Sequence, residues 1–230
     1  MIPIRDDQPQ LTPPVINYFL IALNLVIFLF EELLPPESSN LLISQFGLMP
    51  SHVTALLTGT RALNPIAVLT PFFTSMFLHG SWAHVIGNMW FLWIFGDNIE
   101  DYLGHFKYLM FYLISGVAAA LTQVLLTPYM RAPTVGASGA IAGVLGAYFI
   151  LYPRARVLTW LIFPFYLPAW VMLGYWFLVQ FFSARASSVT YASQNSGGVA
   201  FWAHVGGFIS GLILVKLLPQ RPQQRRYGTW

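Results

Sequence analysis

The chain contains no cysteine. Disulfides, thiolate metal sites and cysteine nucleophiles are therefore excluded from the start. Charge is nearly as scarce, at 8% of 230 residues, where a water-soluble domain carries about a quarter. So few charges cannot cover a surface that faces water. With 57% of residues hydrophobic, the expected solvent around most of the chain is lipid, and the length suits one compact membrane domain. No internal repeat or low-complexity tract interrupts it, and the net charge of +3 gives no reason to expect nucleic acid as a partner.

What charge there is punctuates the chain. Asp, Glu, Lys and Arg are missing from windows 8–30, 62–96, 108–130, 132–153, 157–184 and 186–215, each able to hold the roughly 20 apolar residues of a spanning helix. The expectation is an all-α, polytopic bundle of six transmembrane helices near 15–34, 82–99, 106–127, 137–152, 157–182 and 199–218. Residues 1–14 form a short cytoplasmic segment, 15–218 the membrane domain with a long structured first loop over 35–75, and 219–230 a basic cytoplasmic tail. Basic residues orient it. With the N-terminus inside, Arg5, Lys107, Arg154, Arg156, Lys216, Arg221, Arg225 and Arg226 lie on the cytoplasmic side, against Arg61, Arg131 and Arg185 outside. The first apolar segment follows Asp6, Asp7 and several prolines and lacks a small-residue cleavage site, so it reads as a span rather than a signal peptide.

Polar residues inside such spans must find partners within the protein, which makes them functional candidates. His84 and Asn88 stand four apart on one helical face, with His79 five residues upstream; alone, the pair reads as interhelical glue. Ser138 lies in Gly136-Ala137-Ser138-Gly139 at a helix start, where unpaired N–H groups and the helix dipole favour negative charge; alone, it reads as an N-cap. His204 lies in Ala203-His204-Val205-Gly206-Gly207, where small residues permit close helix packing; alone, it reads as a structural or relay histidine. Together they match what acyl transfer needs, a hydroxyl nucleophile, a base within reach and oxyanion donors. In the six-helix topology all three groups lie at one level in the outer half of the membrane. No acidic residue is placed to reach His204, so a Ser–His dyad is expected, its imidazole oriented by packing. No H-E-x-x-H pair exists, and no metal or cofactor is expected.

The chain resembles the rhomboid intramembrane proteases. The resemblance rests on Phe77-Leu78-His79-Gly80-Ser81-Trp82-Ala83-His84-Val85-Ile86-Gly87-Asn88-Met89, on Phe95-Gly96-Asp97-Asn98-Ile99-Glu100-Asp101 with Gly104, on Thr134-Val135-Gly136-Ala137-Ser138-Gly139-Ala140-Ile141, and on Ala203-His204-Val205-Gly206-Gly207. It implies Ser138 as nucleophile, His204 as general base, Asn88 and His84 as oxyanion donors with the Ser138 backbone N–H, and His79, Glu100 and Gly104 as structural residues. Two features depart from the family pattern. An aromatic residue commonly follows the nucleophile by one turn and stacks on the histidine; here that position is Ala142. The Trp-Arg pair of some bacterial relatives is missing from the first loop. The implied function is cleavage of single-span membrane proteins in or beside their transmembrane segments. The bacterial inner membrane is the expected location, because the sequence shows no targeting extension or extra soluble domain, with the site open to the outer side. A small residue is expected before the cut. The aromatic helix 157–182, broken near Pro164 and Pro168, is expected to act as a lateral gate, and loop 183–198 as a cap. A catalytically dead relative and a transporter are the rivals, disfavoured by the intact serine and histidine motifs and by the lack of repeats and of charged coupling residues.

Overall fold

The computed structural model describes residues 1–191 and 200–218. It is mostly helical. Helix α1 (Val15–Leu33) leads into a first loop, which is itself folded into α2 (Pro36–Phe46), α3 (Pro50–Thr58), α4 (Pro65–Leu69), α5 (Pro71–Thr74) and a 3-10 turn at Ser75–Phe77. Each of those four helices begins on a proline, whose fixed φ suits a first turn that has no acceptor for its N–H anyway. The Asn64 side chain caps α4 by accepting from Ile66 N at 2.9 Å. The long helices follow: α6 (Trp82–Leu103), α7 (His105–Leu126), α8 (Ser138–Leu151), α9 (Ala169–Tyr191) and α10 (Phe201–Leu217).

The first loop is docked rather than loose. Leu48 pairs with Thr134 as an isolated bridge, and Thr54 Oγ1 donates to Pro128 O at 2.7 Å. Leu48, Val53, Val68 and Phe72 bury a small apolar cluster against Ala120 and Val124 of α7. At the opposite end, Glu100 caps α1: its carboxylate accepts from Ile16 N at 2.9 Å and Asn17 N at 2.7 Å, where the helix dipole favours a negative group. His105 Nδ1 meets the same carboxylate at 2.5 Å.

The structure corrects the first half of the expected helix over 157–182 and bears out the second, 169–182, as part of α9. Arg156–Trp160 (β2) and Pro164–Pro168 (β3) form an antiparallel hairpin, and Ile2–Arg5 (β1) adds a third strand on the far side of β2. The run is long and apolar enough for a span, but Pro164 and Pro168 stand four apart and each lacks a backbone N–H. A helix through them would lose two hydrogen bonds and clash with the preceding turn, whereas proline is tolerated on an edge strand such as β3. The sheet backs onto α6, where Trp90 Nε1 donates to Pro3 O at 2.6 Å, and onto α8, where Tyr148 bonds Asp6. The fold is thus helical with a small sheet. Likewise, 183–191 continues α9 rather than forming loop, and the rest of the expected cap, 192–198, lies outside the described residues, as does the tail 219–230.

Among the described residues, α1 and α7 are long and apolar enough to cross a membrane, and α8 and α10 are shorter apolar helices. α6 matches α7 in length but carries Asp97, Glu100 and Asp101 in its last turns. The shortness of α8 has a structural counterpart. At 14 residues it is roughly 21 Å long against roughly 33 Å for the 22-residue α7. Every residue from Gly139 to Tyr148 is buried, so α8 is enclosed by α6, α7 and α10. It meets α10 through backbone: a Cβ on Gly207 would strike Gly139 O, and one on Gly211 would strike Gly143 O. Small residues at these crossings let the two helices touch main chain to main chain.

Candidate active site

Helix α8 starts below the end of its neighbour. A Cβ on Gly139 would lie 2.7 Å from Ala119 Cβ, and Ala119 is seven residues, about 10 Å, before the end of α7. Ser138, the first residue of α8, is therefore sunk by about that depth. The chain reaches it through Gly136, whose φ of +124° disfavours any residue with a Cβ and whose N–H donates to Ser75 O at 2.9 Å. Among the described residues no side chain caps α8, so the N–H groups of its first turn keep their positive end free.

His204 meets Ser138. Its Nε2 lies 2.7 Å from Ser138 Oγ, and the histidine is 8% exposed. The glycines after it on α10 allow this approach, since they bring α10 against α8 along the same stripe. On its other edge, His204 Nδ1 lies 2.7 Å from Gln180 Oε1 of α9. Trp176, one turn before Gln180, overlies the imidazole at 5.9 Å between ring centroids and 34° between planes. Phe201 closes it edge-on at 6.2 Å and 88°. To the packing expected to orient His204 in place of a carboxylate, the structure adds a side-chain amide. The aromatic contact missing at Ala142 comes from α9 instead. Neither Trp176 nor Gln180 stood out in the sequence; the usable signal was an amide in a charge-free apolar window, one helical turn from a tryptophan.

Asn88 and His84 line the same chamber as Ser138 and His204, a cavity of about 610 Å³ between α6, the 133–135 segment, α8, α9 and α10. Ser81 caps α6, accepting from His84 N at 3.3 Å. Asn88 Nδ2 donates to His79 Nε2 at 3.0 Å. An amide nitrogen carries two protons, so this bond fixes the Asn88 side chain and leaves one N–H for another acceptor. His79 can accept only as a neutral ring, and burial holds its imidazole down to about 3, with nearby His84 adding to the effect. His79 is anchored in turn by its backbone N–H to Glu31 Oε2 at 3.1 Å. The four residues singled out as nucleophile, base and oxyanion donors thus share one cavity. Behind Ser138 a second space of about 30 Å³, lined by Gly116, Gln123 and Ala203 among others, is large enough for one water.

A half-buried serine meeting a buried histidine at a helix N-terminus, with an amide donor in the same cavity, matches what a serine hydrolase site requires, here within a bundle of apolar helices. The chain belongs to the rhomboid family: residues 67–221 match the Rhomboid domain. It is therefore a member of an integral-membrane family that includes serine proteases. It is 27% identical over 228 residues to the mitochondrial Rhomboid protein 1 of Saccharomyces cerevisiae, covering 95% of this chain and 59% of that protein. To the chloroplastic Rhomboid-like protein 11 of Arabidopsis thaliana it is 32% identical over 154 residues, 66% of this chain and 53% of the other. To the Rhomboid protease GluP of Bacillus subtilis it is 28% identical over 207 residues, 89% of this chain and 35% of the other. The chain thus spans roughly a third to three-fifths of the length of these relatives.

Proposed function

We propose that the protein is an intramembrane serine endopeptidase that cleaves transmembrane segments of single-span membrane proteins through a Ser138–His204 dyad. The observation that carries this reading is the 2.7 Å contact between Ser138 Oγ and His204 Nε2 inside a cavity large enough for a peptide segment. His204 takes the Ser138 proton as Oγ attacks the scissile carbonyl, and the carbonyl oxygen becomes an oxyanion. Asn88 Nδ2, His84 and the backbone N–H of Ser138 donate to it, aided by the α8 dipole. As the tetrahedral centre collapses, the C–N bond breaks and His204 returns the proton to the leaving amine. Water then attacks the acyl-enzyme with His204 again as base, releasing the acid and regenerating Ser138.

In this reading α1, α6, α7, α8, α9 and α10 are the six spans of a membrane domain over 15–218, flanked by cytoplasmic segments at 1–14 and 219–230. Both termini are cytoplasmic, as the excess of Lys and Arg on that side supports, and the cavity opens to the outer side. Substrates enter between α6 and α9, and the bilayer is the other partner. The compartment is the bacterial inner membrane; the relatives include mitochondrial and chloroplastic proteins as well as a bacterial protease, and membrane fractionation of the source cells decides it. The activity is tested with a single-span substrate in detergent or liposomes, comparing wild type with Ser138→Ala and His204→Ala. Wild type should cut, and both variants should stay folded and leave the substrate whole. Cleavage by the variants at the wild-type rate rejects the dyad, and survival of a panel of substrates with wild type points to a client-binding protein that does not cut.

A further inference from the structure

An imidazole can take a proton from Ser138 only if the nitrogen facing it carries a lone pair. Here that nitrogen is Nε2, at 2.7 Å from Oγ, so the ring proton of neutral His204 must reside on Nδ1. A buried N–H without an acceptor is costly, and the opposite tautomer would turn a second proton toward the nucleophile. A triad enzyme solves this with a carboxylate. Among the described residues the cavity around Ser138 and His204 offers none: its lining contains His84 and His204 as titratable side chains and no Asp, Glu, Lys or Arg. What faces Nδ1 is Gln180 Oε1 at 2.7 Å.

We infer that Gln180 is the positioning residue of the dyad, accepting the Nδ1–H of His204 and so holding the base in the tautomer and orientation that activate Ser138. This rests on the proposed Ser138–His204 chemistry. An amide oxygen does for the tautomer what a carboxylate does in a triad, without placing an unpaired charge in an apolar chamber, where it would be expensive. The placement is economical in helical terms. Trp176 and Gln180 are four apart on α9 and so share one face. Trp176 packs a tilted indole against the imidazole at 5.9 Å and 34°, and Gln180 holds its edge. α9 thereby supplies both constraints that Ala142 on α8 cannot. Any movement of α9 that widened the route between α6 and α9 would release Nδ1 and the ring plane together, so His204 would be fully oriented only when α9 is seated.

The experiment compares wild type with Gln180→Leu and Gln180→Glu in detergent, measuring kcat and KM separately on a single-span substrate. A parallel 15N spectrum of the imidazole-labelled protein reads the His204 tautomer. Gln180→Leu removes the acceptor and should lower kcat by about 10- to 100-fold, the range seen when a metal-bound histidine loses the partner on its other nitrogen, with KM unchanged. Its His204 signals should move from one tautomer toward a mixture. Gln180→Glu retains an acceptor oxygen at the same reach and should recover most of kcat and the single tautomer. A wild-type kcat in Gln180→Leu overturns the inference, as does an unchanged His204 tautomer in that variant. Should Gln180→Leu fail to fold, Gln180→Asn, the same amide one methylene short, gives the same comparison: a lowered kcat supports the role and a wild-type kcat overturns it. Ser138→Ala and His204→Ala run alongside; if they also cut, it is the dyad reading that fails, whatever Gln180 does.

Discussion

Replacing Gly211 with alanine tests whether the backbone contact between α8 and α10 sets the geometry of the site. A Cβ at Gly211 would lie 2.6 Å from the carbonyl carbon and 2.7 Å from the Cα of Gly143, and closer still to its oxygen; ordinary contact begins at 3.4 Å. The obstacle is main chain inside a buried helix and cannot rotate away. The helices must therefore part by about 1.5 Å at this crossing, the difference between the 1.9 Å approach to the Gly143 oxygen and 3.4 Å. His204 sits two turns up the same stripe of α10, and its bond to Ser138 is 2.7 Å long. A displacement of that size carries the pair well beyond hydrogen-bond distance. A misplacement on the order of 1 Å costs about 100-fold in rate, and overpacking costs about 1–3 kcal/mol. The assay is cleavage of a single-span substrate together with thermal unfolding in detergent. Gly174→Ala on α9 is the control, because a Cβ there meets Phe149 Cε2 at an ordinary 3.7 Å, and it should gain up to about 1 kcal/mol of helix propensity. If Gly211→Ala cuts at the wild-type rate and melts with wild type, the α8–α10 contact does not set the dyad.

Two other perturbations test the rim of the site. Gly136→Ala puts a side chain at a φ of +124° and a Cβ 2.6 Å from the His84 ring; it should lose about 1–3 kcal/mol of stability and displace His84, read as a lowered melting temperature and slower cleavage. The second is pH. His79 is held neutral in the fold, down to about 3, against an ordinary value near 6.5, so the unfolded chain binds the proton more readily. Stability from this group is present above pH 6.5 and is lost progressively as pH falls from there toward 3. His79→Gln should flatten the melting temperature over that range, and an unchanged slope would remove His79 as its source.

Much of the helical frame was legible in the chain because lipid imposes a simple rule, that charge marks where a helix ends. The helices expected near 15–34, 82–99, 106–127, 137–152 and 199–218 all appear, with ends shifted by a few residues. The rule misplaced the helix expected over 157–182, which begins at Ala169 and runs on to Tyr191. Apolar content alone does not separate a helix from a hairpin of apolar strands; the two prolines four apart confine the helix to the residues after Pro168, where α9 begins. The first loop was less legible still, since α2 to α5 owe their places to contacts with the 128–134 segment and α7 that are remote in sequence.

The site divides along the same line. Ser138, His204, Asn88 and His84 could be named from the sequence because each is a polar residue that an apolar span should not contain, set among glycines that permit close packing. Which atoms meet was decided only by the tertiary structure. The 2.7 Å approach of Ser138 to His204 depends on α8 and α10 touching main chain to main chain, and the fixing of Asn88 depends on His79. Gln180 and Trp176 escaped notice because a glutamine and a tryptophan in an aromatic helix have no meaning until α9 is laid beside α10. The sequence by itself determined which side chains lipid would force to find partners; tertiary packing decided which partners they found, because a hydrogen bond is set by distance and angle, and no local pattern encodes either across 24 or 66 residues of chain.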